Sequence, residues 1–130
     1  MAADSDAGNT DSAPVRPDKV LFLSGDLMFA SRVGAAAEAA GMQFQMSGNL
    51  PADPARDVRV VILDLATRSS IVQGFGAKVA DACPNAMTIA YGPHVQVGPL
   101  ESAKAEKLDH VMTRGQFDRQ IAGFLQSLAN

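Results

Sequence analysis

The sequence predicts an α/β layer fold, a doubly wound parallel sheet with helices on both faces. Three observations predict it. Strand-length runs that are apolar at nearly every position recur along the chain ("KVLFLS", "VRVVILDL" and "AMTIAY"), as expected of strands buried on both faces. Segments with helical spacing of apolar residues lie between them. Turn residues (Ser24-Gly25-Asp26, Pro84-Asn85, Gly92-Pro93) separate the two kinds of segment.

The elements follow in order. Met1 to Pro17, "MAADSDAGNTDSAPVRP", is small, polar and acidic, and buries too little surface to offset its ordering entropy, so residues 1–17 are expected as a disordered tail and 18–130 as one domain. "KVLFLS" is a buried central strand. Asp26 is placed to cap the next segment, in which Leu27, Ala30, Val33, Ala37 and Ala40 recur at helical spacing until Gly41. "QFQMS" is a short strand. "GNLPADPARD" (48–57) carries two prolines and reads as a loop with at most a helical turn over 52–56, so the second helix is shortened or lost.

"VRVVILDL" is the second fully buried strand, followed by a helix over 71–83 weakened by Gly74 and Gly76, with Ser69 and Ser70 as its expected caps. "AMTIAY" is a further strand. A helix over 97–107 puts Leu100, Ala103 and Leu108 on one side. "DHVMT" is the last strand, and Phe117, Ile121, Phe124 and Leu128 mark an amphipathic closing helix over 116–128.

Composition narrows the function classes. The 130 residues, 47% apolar, suit one domain of a size that buries roughly two-thirds of its unfolded surface. The net charge is −3 and the pI near 5.2, without a Lys/Arg run, so a nucleic-acid footprint is not expected. No apolar run approaches the ~20 residues of a membrane span, and Met1 to Pro17 lacks the regions of a secretion signal, so a soluble, cytoplasmic protein is expected. Cys83 is the single cysteine. It forms no intramolecular disulfide, suits a reducing compartment and reads as a small half-buried thiol.

In doubly wound folds, functional groups gather outside the carboxyl ends of the strands. The residues placed on that rim are Ser24, Gly25 and Asp26 after the first strand, Asp64 after "VVIL", Gly92, Pro93 and His94 after the fourth strand, and Thr113, Arg114 and Gly115 after the fifth. Asp64 stands out, because a carboxylate at the end of a buried strand needs solvent or a partner.

The order of elements, the aspartate closing "VVILDL" and "DHVMTRGQFDRQI" about fifty residues later resemble the receiver domain of bacterial response regulators over Lys19 to Asn130. The resemblance implies a flavodoxin-like five-stranded parallel sheet of order 2-1-3-4-5. It implies that Asp64 holds the position that accepts a phosphoryl group from a histidine kinase, beside a Mg2+ site. The family's acidic pair after the first strand falls on Ser24 and Gly25, with Asp26 one place later. Its Ser/Thr at the end of the fourth strand falls on Gly92, or on Tyr91 in a slipped register. Its lysine falls on Arg114 and the following proline on Gly115, and its Met-Pro after the aspartate falls on Thr67 and Arg68.

These departures define the expectation. With Asp26 and Asp64 as the available carboxylates and the carbonyl of Ala66 beside them, a Mg2+ shell is thin, so no cofactor is expected, with weak Mg2+ binding at Asp26 and Asp64 as the alternative. Arg114, with its planar fork, is expected to grip Asp64. The chain therefore reads as a degenerate, stand-alone receiver-like domain that is no enzyme. It is expected to act without phosphorylation on a protein partner, or as a homodimer, through the helix at 97–107, the last strand and the closing helix, with no nucleic acid or membrane involved. One alternative is a two-component regulator phosphorylated at Asp64, with Asp26 as metal ligand. A second is a small-anion or metabolite site formed by Arg114 with His94 or Tyr91. His110 has no evident companion.

Overall fold

The computed structural model describes residues 17–93 and 97–129, so the expected tail, apart from Pro17, and His94 lie outside the described residues. The chain alternates β1 (Lys19–Leu23), α1 (Leu27–Ala39), β2 (Gln43–Ser47), β3 (Val58–Asp64), α2 (Leu65–Arg68), a single 3-10 turn (Ser69–Ile71), α3 (Phe75–Ala82), β4 (Met87–Gly92), α4 (Val97–Ala105), β5 (His110–Thr113) and α5 (Arg114–Ala129). The five strands form one sheet of order β2-β1-β3-β4-β5, with every pairing parallel.

Strand alternation divides the core into two layers. Val20, Phe22, Val60, Ile62, Ile89 and Tyr91 face α1 and α5, where Phe29, Val33, Phe117, Ile121 and Leu125 meet them. Leu21, Leu23, Val61, Leu63 and Ala90 face the other way, onto Leu65, Phe75, Val79 and Ala103. The central strands are apolar throughout because both faces are covered. Cys83 is buried in the second layer, where burial first and the Asp57 carboxylate second push its thiol up.

The second helix is lost. Residues 48–57 contain no helix, not even over 52–56, and Leu50 and Ala55 pack onto the second layer in its place. The Ala55 N–H donates to the Ala82 carbonyl at 2.7 Å, and Asn85 Nδ2 donates to the Arg56 carbonyl at 2.9 Å, tying the loop to the end of α3. The edge strand β2 is written for this loss. Phe44 and Met46 pack on the first layer, while Gln43 and Gln45 stay exposed on the face that a second helix would otherwise cover.

Three helices have bounds that differ from those predicted. The helix expected over 71–83 is regular only over Phe75–Ala82, because Gly74 adopts φ 73° and begins it. Ser69 and Ser70 instead lie in the 3-10 turn. The amino end of α3 is capped from a distance, by Glu106, whose carboxylate accepts the Gly74 and Gly76 N–H groups at 3.0 and 3.2 Å. A carboxylate there is favoured by the helix dipole as well as by the two bonds. The closing helix begins at Arg114 rather than 116, and α4 ends at Ala105 rather than 107. No described helix is long and apolar enough to cross a membrane.

Gly76 marks a close approach. A Cβ built there would stand 2.8 Å from the Glu106 carbonyl oxygen. Alanine normally gains up to ~1 kcal/mol over glycine within a helix. Here overpacking against backbone reverses the sign, and Gly76→Ala is expected to destabilise the fold by about 1–3 kcal/mol in urea denaturation.

Candidate functional site

The alternation of β3 turns Val60, Ile62 and Asp64 toward the α1/α5 layer, and Asp64 ends the strand fully buried. A carboxylate with no access to water must take its hydrogen bonds from the protein. Three donors supply them. Ser24 Oγ donates to Asp64 Oδ2 at 2.7 Å, Thr67 Oγ1 donates to the same oxygen at 3.0 Å, and the Ala66 N–H donates to Oδ1 at 2.9 Å. The last bond caps the first turn of α2, so Asp64 closes a strand and opens a helix at once.

Both hydroxyls extend the network. Ser24 Oγ accepts the Asp26 N–H at 2.9 Å, and Thr67 Oγ1 accepts the Gly25 N–H at 3.0 Å, which clamps the β1–α1 loop onto α2. Arg68, next along, lies over Gly25 and Gly48, its guanidinium within 3.6 and 3.3 Å of where their Cβ atoms would stand, and donates to the Thr67 carbonyl.

Asp26 caps α1 by accepting the Phe29 N–H on Oδ1 at 3.0 Å. Its other oxygen accepts Arg114 Nη2 at 3.0 Å. The expected pair of Arg114 with Asp64 is thus not formed. Asp64 is enclosed and supplied by its own three donors, whereas Asp26 stands at the rim with 20% of its side chain exposed, within reach of an arginine that is itself 44% exposed. The guanidinium also lies 4.5 Å from the Phe29 ring centroid, a cation–π arrangement. The Phe29 N–H foremost, and then Arg114 against an opposing effect of burial, holds the Asp26 carboxyl below its usual range.

The register pairs Asp64 with Tyr91, so Tyr91 and not Gly92 stands beside the aspartate on the same face. Gly92 faces the other layer, where a Cβ would meet Leu65 Cβ at 3.1 Å and any hydroxyl-bearing side chain would crowd it. Tyr91 is stacked between Phe22 and Phe117, at interplanar angles of 5° and 7°, with Phe29 tilted against it. Among the described residues its buried hydroxyl makes no short hydrogen bond, with the Ser24 side chain as its polar neighbour. Burial, and then the neighbouring Asp64 charge, drive its ionisation far above the ordinary phenol range.

Of the residues placed on the rim by sequence, Ser24, Gly25, Asp26, Asp64 and Arg114 form one connected cluster, and Gly92 stands behind it. Thr67, met in the sequence only as a departure from the family's Met-Pro, is the member whose role at Asp64 sequence reasoning missed. Its signal was the spacing Asp64 to Thr67, which sets a hydroxyl three residues after a capping aspartate. Among the described residues no three His, Cys, Asp or Glu side chains gather as metal ligands.

This architecture, with an aspartate ending the central strand of a 2-1-3-4-5 sheet, is the fold of response-regulator receiver domains. The chain is similar to a response regulator protein from Burkholderia pseudomallei, at 18% identity and TM-score 0.64 over 86% of this chain and 68% of that one. It is similar to a signal receiver domain from Bermanella marisrubri, at 12% identity and TM-score 0.63 over 88% of this chain and all (100%) of that one. An orphan response regulator of H. pylori matches at 10% identity and TM-score 0.60 over 88% and 96% of the two chains. No protein-family model and no curated protein sequence matches the chain.

Two outcomes follow from the geometry. Ser24→Ala leaves a buried charge short of one donor and is expected to cost about 1.5–3 kcal/mol in urea denaturation. Tyr91 is the only tyrosine in a chain without tryptophan, so phenolate absorbance reports on it alone. With its folded pKa raised, the contribution of the neutral phenol is complete below the ordinary value and is lost above it. Stability is therefore expected to fall as pH rises past ~10, and phenolate absorbance to appear together with alkaline unfolding.

Proposed function

We propose that this chain is a receiver-like signalling module that works without phosphorylation of Asp64 and acts by protein contact. The observation that carries the reading is the state of Asp64. Its carboxylate is fully buried, and both oxygens are committed to Ser24, Thr67 and the Ala66 N–H. Phosphoryl transfer needs an accessible acceptor oxygen and cations that neutralise the moving charge. Among the described residues no cation pairs with Asp64, since Arg114 is held by Asp26.

The Mg2+ that the fold family implies does not suit this donor set. Mg2+ demands near-octahedral oxygen coordination, and here Asp64 and Asp26 spend their oxygens on internal donors, with Ser24 and Gly25 in place of further carboxylates. We therefore assign neither a metal cofactor nor turnover. The contact surface we favour is α4, β5 and α5. There the half-buried edge strand His110–Thr113 lies between two helices, and the His110 ring packs edge-on to Phe124 at 5.3 Å.

The Burkholderia pseudomallei protein is described with a phosphorylated aspartic acid and a calcium ion, so phosphorylation is the competing reading. Incubation with acetyl phosphate and Mg2+, followed by intact mass measurement, separates the two. The expected result is an unchanged mass. A phosphoryl adduct on the wild-type chain that is absent from Asp64→Asn contradicts the proposal.

A further inference from the structure

β2 is an edge strand: it pairs with β1 on one side, and among the described residues no strand lies beyond it. Two hydrogen bonds show which of its backbone groups face outward. The Gln43 N–H donates to the Asp18 carbonyl at 2.9 Å, and the Ser47 carbonyl accepts the Ser24 N–H at 3.2 Å, so both residues turn their backbone toward β1. Alternation places Gln45 with them. It leaves the N–H and C=O of Phe44 and Met46 directed away from the sheet, where a further strand would take them up.

Exposed edges are ordinarily blunted by a lysine, a proline, a bulge or a covering element. Gln43–Ser47 carries no charge and no proline, and its register with β1 is regular throughout. The lost second helix leaves Gln43 and Gln45 exposed on one face, while Phe44 and Met46 on the other are only half-buried.

We propose that β2 pairs antiparallel with β2 of a second copy of this chain, about a two-fold axis at Gln45, joining the two five-stranded sheets edge to edge. The register follows from the backbone. A two-fold axis perpendicular to the sheet keeps each face on its own side, so one residue of β2 must stand opposite its own copy. With Gln45 in that place, Phe44 stands opposite the second copy's Met46, and the two exchange a pair of N–H···O=C bonds. The symmetry-related pair does the same, and every outward group of Phe44 and Met46 is satisfied. With the axis at Phe44 or Met46 instead, the other of the two residues faces Met42 or Gly48, outside the strand.

The side chains agree with this register. On the packed face each Phe44 ring meets a Met46 thioether, a favourable sulfur–aromatic pairing. On the bare face Gln45 meets its own copy, amide to amide, and Gln43 meets Ser47. Charge favours a second copy as the occupant, because a two-fold axis sets like residues against each other and this strand has no charge to repel its copy. Five-residue strands bury less than the ~800 Å² per partner of a standard stable interface, so the dimer is weak and reversible. It closes on itself by consuming β2 of both copies, and it leaves α4, β5 and α5 free at the two ends of the joined sheet. The inference thus goes beyond the contact surface assigned above.

Sedimentation equilibrium of the full chain from micromolar to millimolar concentration tests it. Gln45 is exposed and its backbone faces β1, so charge variants there spare the monomer fold. The wild-type chain is expected to move toward twice the chain mass as its concentration rises. Gln45→Lys and Gln45→Glu each set like charges at the axis and are each expected to raise the dissociation constant about fivefold. An equimolar mixture of the two is expected to dimerise at least as tightly as the wild type. A wild-type chain that stays monomeric to millimolar concentration leaves the edge to a strand of another protein and overturns the proposal. A dimer that both charge variants form as tightly as the wild type overturns it too, as does a mixture no tighter than either variant alone. No phosphoryl donor enters the measurement, so its failure is distinct from a failure of the reading of Asp64.

Discussion

Three hydrogen bonds to one buried carboxylate join the carboxyl end of the sheet into a unit. Asp64 brings a full charge out of water at the end of β3, and only donors preset around it make that tolerable. Ser24 comes from the loop after β1, while Thr67 and the Ala66 N–H come from α2. Ser24 then holds the Asp26 N–H, Asp26 caps α1, and its far oxygen holds Arg114 at the start of α5. A continuous chain of polar contacts therefore runs from β3 through β1 and α1 to α5. Networks of this kind rigidify a site when every member is satisfied, and the buried Tyr91 hydroxyl stands beside this one with no short hydrogen bond to a described residue.

The lost second helix sets a different constraint. Without it, the outer face of β2 meets water, and the alternation of "QFQMS" answers with Gln43 and Gln45 on that face and Phe44 and Met46 on the packed one. The proline-bearing loop 48–57 seals the remaining gap through Leu50 and Ala55 and is pinned by one backbone hydrogen bond to Ala82 at the end of α3 and by the Asn85 side chain just beyond it. A clasp at the far side of the sheet works by similar means. Asp109 accepts the Thr88 N–H at 2.8 Å and the Thr88 hydroxyl at 3.1 Å, and the Asp109 N–H donates back to that hydroxyl at 2.9 Å, which joins β4 to the start of β5.

The layer fold was legible because its strands are buried on both faces, and a run such as "VRVVILDL" has few other ways to satisfy its surface. The missing helix followed from Pro51 and Pro54, whereas the strand order came with the resemblance to receiver domains. What escaped were contacts between side chains distant in sequence. Arg114 and Asp64 both lie on the rim, yet distance along the chain does not say which of two carboxylates is enclosed and which is reachable. Asp26 was legible as a cap and hidden as an ion-pair partner for the same reason. Ser69 and Ser70 looked like caps because they precede a helical stretch, whereas the cap of α3 comes from Glu106, 30 residues beyond Gly76, a pairing that no local pattern announces.

The proposal that this chain works without phosphorylation makes the Asp64 carboxylate a structural anion. Asp64→Asn tests it most directly, because an amide offers one accepting oxygen where three donors converge and turns its own N–H groups toward Ser24 or Thr67. A structural anion predicts that the urea midpoint falls, by an amount equivalent to about 1.5–3 kcal/mol. A carboxylate kept for phosphoryl chemistry at the expense of stability would give the opposite sign, and an unchanged or raised midpoint for Asp64→Asn would contradict the claim.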